Sequence, residues 1–274
     1  MKKIRISIKK NTHRIELDGP ACLQLLKDLC NKHPSFNNFY LENKAAIDDL
    51  KIKWVIDQNC KEEGISSPIL DTITLRKYPV SIDDARIVTH EIEHHLIWKR
   101  GFPYVMADLN PNKSRKVRER LARALAGMIY EPMVEAKLKH FFENLCDDHQ
   151  KNALTELRKR VAEKKVIHEQ ILDPIALLYY SCLYVKYLRL MRATCDNEET
   201  AEFIRGYKEH FGENIVVCAE KIITLIEANG INSPASVKMI LETIIKNRKF
   251  GLTYKFQEHF KRFIIDFALR PCKN

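Results

Sequence analysis

Glycine and proline are scarce in this chain, 8 and 10 among 274 residues. That argues against an all-β protein rich in tight turns and for long helices with few breaks. The eight cysteines form no C-x-x-C pair. They are scattered through apolar or helical contexts, as reduced thiols of a cytosolic protein would be. Long apolar runs are missing too. The nearest, Pro174 to Leu188, is too short to span a bilayer and is interrupted by Lys186. The opening MKKIRISIKK alternates basic with single apolar residues and lacks the apolar stretch of an export signal. The expectation is therefore a cytoplasmic protein with no membrane partner.

What is present suits a sizeable folded core. Hydrophobic residues make up 45% and charged residues 30% of the chain. The net charge of +10 favours acidic partners, nucleic acid included, without bearing on the fold.

The first 80 residues read as mixed. Lys3–Lys9, Lys51–Ile56 and Ile69–Tyr78 are strand candidates, the last rich in β-branched residues and ended by Pro79. Gly19-Pro20 reads as a turn before a short helix, Ala21–Lys32. Beyond Ser81 the pattern becomes helical. The helix Ile82–Arg100 has Ser81 as its cap, Asp84 at the capping-box position, and Gly101 and Pro103 to stop it. A loop over 101–112 precedes a long helix, 114–145, interrupted by Pro132. Further helices are expected near 152–165, 174–194, 198–210, 213–229 and 234–249, the last capped by Ser233-Pro234. The fold class is α+β and predominantly helical: a β-containing part over residues 1–148, then a helical part over 149–274.

The informative segment is Thr89-His90-Glu91-Ile92-Glu93-His94-His95, which contains H-E-x-x-H. On a helix, residues four apart share a face, so His90 and His94 can both reach one Zn²⁺. Glu91 follows the first ligand directly, where a carboxylate reaches a water rather than the metal: the general-base position. His95 lies about 140° round the helix from His90 and cannot join them. Glu93 reads as a solvated or supporting residue.

A catalytic zinc usually takes a third protein ligand. The segment Tyr130-Glu131-Pro132-Met133-Val134-Glu135 offers two acids one turn apart on an otherwise apolar stretch. Buried unpaired acids are costly, and a cation for one and an imidazole N–H for the other would offset that cost. His140 is off the face of Glu131.

H-E-x-x-H on one helix, followed on a later helix by Glu with a second acid four residues on, resembles the gluzincin branch of the zincin metallopeptidases. The resemblance covers roughly residues 69–138. It implies Glu131 as the third zinc ligand and Glu135 as the carboxylate that orients a ligand histidine, and it ranks Glu135 as the rival third ligand. It also implies a strand before the motif helix along which extended peptide lies, here Ile69–Tyr78. Tyr130, where thermolysin-like members have Asn, and Pro132 depart from the family pattern.

The function so expected is a zinc-dependent hydrolase, a peptidase acting on a peptide or protein substrate, with Glu91 as base. Tyr104, Tyr130, His168, Tyr179 and Tyr180 are possible donors to a developing oxyanion, none singled out. The alternative is a catalytically silent zincin-like protein that contacts nucleic acid or a protein through its basic surface. The stretch Lys113–Arg123 would serve it, although no aromatic residue is interleaved for base stacking.

Overall fold

In a computed structural model the described residues are 13–107, 115–142, 155, 159, 174–194, 197–246 and 252–255. The architecture is α+β and predominantly helical, with a small mixed four-stranded sheet. The expected strand Lys3–Lys9 and nearly all of the expected helix 152–165 lie outside the described residues. The described residues fall into two compact units: those of Met1–Lys99 with Lys137–Leu145, and those of Arg100–Ala136 with Cys146–Asn274.

The first unit holds the four-stranded sheet. Its strands are β1 (Arg14–Glu16), β2 (Lys53–Asp57), β3 (Gly64–Ser67) and β4 (Thr72–Leu75), in the order β1-β2-β4-β3. β2 runs parallel to β4, pairing Trp54 with Ile73. β1 and β3 run antiparallel to their neighbours. The strand read as Ile69–Tyr78 is thus shorter than expected and lies inside the sheet, with both flanks paired. The edge is β3, whose sequence GISS carries too little alternation to announce a strand. Between β3 and β4 the chain makes one 3-10 turn, Pro68–Leu70, and reverses through Asp71 at φ 49°. Aspartate is among the few residues that tolerate this left-handed conformation.

Three helices complete the unit: α1 (Gly19–Lys32), α2 (Pro34–Asp48) and α3 (Ile82–Lys99). Gly19-Pro20 is the first turn of α1, not a separate turn. Asp18 caps it by accepting from the Ala21 N–H at 2.9 Å, and Pro20 needs no helical donor there. α2 was not expected from its sequence, because two asparagines and an N-terminal proline dilute its propensity. Burial of Phe36, Phe39 and Ile47 stabilises it instead. At fully buried positions each such side chain contributes roughly 1.5–3 kcal/mol.

α3 begins and ends as its sequence implies. The Asp84 N–H donates to Ser81 Oγ at 3.1 Å, and the Asp84 carboxylate accepts from the Ser81 and Val80 N–H groups, each at 3.0 Å. Gly101, at φ 86°, carries the chain away from its C-terminus.

The second unit contains the strands β5 (Tyr104–Ala107) and β6 (Leu252–Lys255), which pair antiparallel, and the helices α4 (Arg115–Lys139, entering from this unit), α5 (Pro174–Thr194), α6 (Asn197–Phe211), α7 (Glu213–Asn229) and α8 (Pro234–Lys246). β5 occupies part of the segment expected as loop. Its pairing with a distant strand is a non-local contact that local sequence does not encode. α5, α6 and α7 enclose an aromatic cluster of Tyr184, Phe203, Tyr207 and Phe211, with neighbouring ring centroids 4.4–5.8 Å apart. Ser181 Oγ donates toward the Ile215 carbonyl at 3.1 Å, tying α5 to the start of α7. Among the described residues no helix is long and apolar enough to cross a membrane. The described cysteines, Cys22, Cys30, Cys60, Cys182 and Cys218, are free thiols.

Burial of Asp84 would raise its pKa, but the hydrogen bonds from Val80 and Ser81 and the Lys77 ammonium 3.0 Å away outweigh it and hold the carboxyl at about 2. A depressed acid contributes stability that is complete above its unfolded value, near pH 4, and lost as the pH falls through about 2. Asp84→Ala should therefore cost about 1–2 kcal/mol in urea unfolding at pH 7. It should also flatten the loss of stability between pH 4 and pH 2, and an unchanged acid limb would refute this role.

Candidate metal centre

The site is built on α3. Val88, Ile92 and Leu96 are buried in the first unit and fix the rotation of the helix about its axis. That rotation sets His90 and His94 side by side, both only partly buried. Their ring centroids are 4.9 Å apart, and the two Nε2 atoms approach to 3.1 Å. Each Nε2 of a neutral imidazole either carries a proton or offers a lone pair. Two that face each other must share a proton or a cation.

Glu131, on α4, completes a donor set. Ligand atoms of His90, His94 and Glu131 all lie within 4.8 Å of one another, so the three can hold one metal ion. Two imidazoles and a carboxylate are a donor set that suits zinc and several other divalent ions. The residues present therefore fit the cation expected from the sequence.

Glu91 is not one of these clustered residues. Its side chain is buried, 7% exposed, and packs against the edge strand β3. The contact is made possible by Gly64. A Cβ at that position would lie 2.7 Å from Ile87 Cγ2, 3.1 Å from Glu91 Cγ and 3.2 Å from Glu91 Oε1. Gly64 marks a place where the backbone of a strand approaches a helix more closely than any side chain allows. Sequence reasoning passed over this residue. Its signal was a glycine in a chain that has only 8.

The other candidates separate clearly. His95 is 1% exposed, and burial lowers its pKa to about 4, opposed by a hydrogen bond to the Thr72 backbone. It is a neutral core residue joining α3 to β4. Glu93 is 2% exposed, so it is not the solvated residue the sequence allowed. Glu135 is buried on α4, one turn beyond Glu131. His140 is exposed, with its ring edge-on to Phe141 at 4.8 Å.

Among the possible oxyanion donors, Tyr130 is committed. Its hydroxyl donates to the Pro103 carbonyl, and burial raises its pKa. Tyr104 is raised as well, again by burial. Tyr179 and Tyr180 meet ring to ring at 5.1 Å on α5, and His168 lies outside the described residues. Of the basic stretch, Arg120 and Arg123 are exposed on α4, and the side chains of residues 113–118 lie outside the described set.

Gly64→Ala should force β3 and α3 apart. The expected cost is about 1–3 kcal/mol, the usual range for overpacking, read as a lower urea midpoint with an unchanged slope. Full stability in that variant would show that Ile87 and Glu91 move aside freely. Compared with protein-family models, curated proteins and solved structures, the chain matches none.

Proposed function

We propose that the protein is a metal-dependent hydrolase, a peptidase that acts on peptide or protein substrates with zinc held by His90, His94 and Glu131. The observation that carries this reading is the donor set itself: His90 and His94 with Nε2 atoms 3.1 Å apart, and ligand atoms of His90, His94 and Glu131 all within 4.8 Å of one another. The resemblance to gluzincins supports it. A divalent cation bound there would polarise a substrate carbonyl and make a water more acidic.

The chain's own residues do the rest. Glu91 follows His90 on the helix, yet its carboxylate lies against Gly64 of β3 and is not among the clustered ligand atoms. From there it takes a proton from the attacking water at a carboxylate oxygen and hands that proton to the departing nitrogen. The outer flank of β3 pairs with no strand among the described residues. It is a suitable edge for an extended peptide, whose main chain would add to the sheet while side chains alternate on its two faces. This moves the peptide-aligning edge from the expected Ile69–Tyr78 to Gly64–Ser67. Glu135 keeps the role that the resemblance gives it, accepting from the N–H of a ligand imidazole and so fixing its tautomer.

Purified protein should carry about one zinc per chain. Stripping by a chelator should abolish cleavage of a fluorogenic peptide library, and stoichiometric zinc should restore it. Glu91→Gln should bind zinc as wild type does and lose at least about 100-fold in cleavage rate. Cleavage that survives stripping, or wild-type cleavage by Glu91→Gln, would sink the assignment.

A further inference from the structure

The sequence singled out Pro132 as an oddity beside Glu131, and the fold of the second unit supplies its partner. A proline inside a helix has no N–H for the carbonyl four residues back. In α4 the carbonyl so released is that of Met128. Arg189 of α5 fills the gap: its Nη1 donates to the Met128 oxygen at 2.7 Å. Lys186, one turn earlier on α5, places its Nζ 3.6 Å from Glu131 Oε2, its stem passing within 3.6 Å of a Cβ position on Gly127.

The two contacts share a spacing. Lys186 and Arg189 are three residues apart on α5, and Met128 and Glu131 are three residues apart on α4. Residues at that spacing lie on one face of a helix. α5 therefore holds α4 both by the Met128 carbonyl and by the Glu131 carboxylate. Lys186 interrupts an otherwise apolar segment, PIALLYYSCLYVKYL, and Arg189 follows within one turn. Both are only partly exposed, and burial lowers the pKa of Arg189. Two cations ordered there without a task would cost desolvation and side-chain entropy.

We propose that Arg189 is a positioning residue for the metal centre: by satisfying the Met128 carbonyl that Pro132 leaves open, it fixes the turn of α4 that aims Glu131. Lys186 assists by restricting the carboxylate's rotation. This rests on Glu131 being a metal ligand, as proposed above. Pro132 and Arg189 then form one device. The proline removes one helical donor immediately after the ligand, and the arginine supplies a donor in its place.

The device predicts an interaction between two substitutions. Arg189→Met leaves the Met128 carbonyl without that donor, whereas Pro132→Ala restores an N–H to it. Zn²⁺ affinity is measured by competition with a chromogenic chelator, and Co²⁺ absorption on the stripped protein reports ligand geometry. Arg189→Met should weaken Zn²⁺ binding by about 10- to 100-fold, the usual effect of losing a ligand's supporting partner. It should also alter the Co²⁺ spectrum. In the Pro132→Ala background the same substitution should change Zn²⁺ affinity less than about threefold. A purely structural arginine would lower the melting temperature in both backgrounds without this cancellation.

If Arg189→Met alone fails to fold, the double variant must still fold and bind Zn²⁺ as tightly as Pro132→Ala. Equal weakening in both backgrounds, or none in either, overturns the proposal while wild-type binding leaves the metal assignment standing. Wild-type protein that binds neither Zn²⁺ nor Co²⁺ overturns both together.

Discussion

Two imidazole nitrogens held 3.1 Å apart on one helix, whose rotation packing has fixed, impose the governing constraint on this protein. Such a pair is unfavourable unless something positive lies between the lone pairs, either a proton or a cation. A proton serves two partners. A divalent cation serves more, and the Glu131 carboxylate, clustered with the two imidazoles within 4.8 Å, could supply a third. The rest of the first unit can be understood as what keeps α3 from rotating out of that arrangement. The capping box at Ser81 and Asp84 fixes where the helix starts, Gly101 fixes where it stops, and the buried face of Val88, Ile92 and Leu96 fixes its phase.

The same helix also takes two carboxylates out of solvent. Glu91 and Glu93 leave α3 within one turn of the histidines, yet both are buried. Glu91 lies against β3, where Gly64 leaves room for it, and is not among the clustered ligand atoms. The backbone of an edge strand therefore makes the room that the Glu91 side chain occupies.

Much of this was legible in the sequence, for definite physical reasons. α3 announced itself because capping chemistry is local: a serine, an acid three residues on, and a glycine after the last turn are readable without a neighbour. His90 and His94 were legible because helical periodicity alone places them together. α2 and β3 were not. The sequence PSFNNFYLENKAAID becomes a helix by burying Phe36 and Phe39, and GISS becomes a strand by pairing with TITL. Both gains come from residues distant in sequence. The sheet position of Thr72–Leu75 was hidden for the same reason: β-branched composition shows that a segment is extended, not that strands flank it on both sides. Pro132 was visible as an anomaly, but its meaning depended on Arg189, 57 positions away in the chain.

Of the 18 residues of α3, those from Asp84 to Trp98 are mostly shut away from solvent, on more than one face of the helix. A segment enclosed in this way exposes its amides to hydrogen exchange only in the largest openings of a domain, while peripheral helices fray many times over. The histidine pair thus sits on a segment well protected from such opening. Partial melting elsewhere would leave the two rings facing each other.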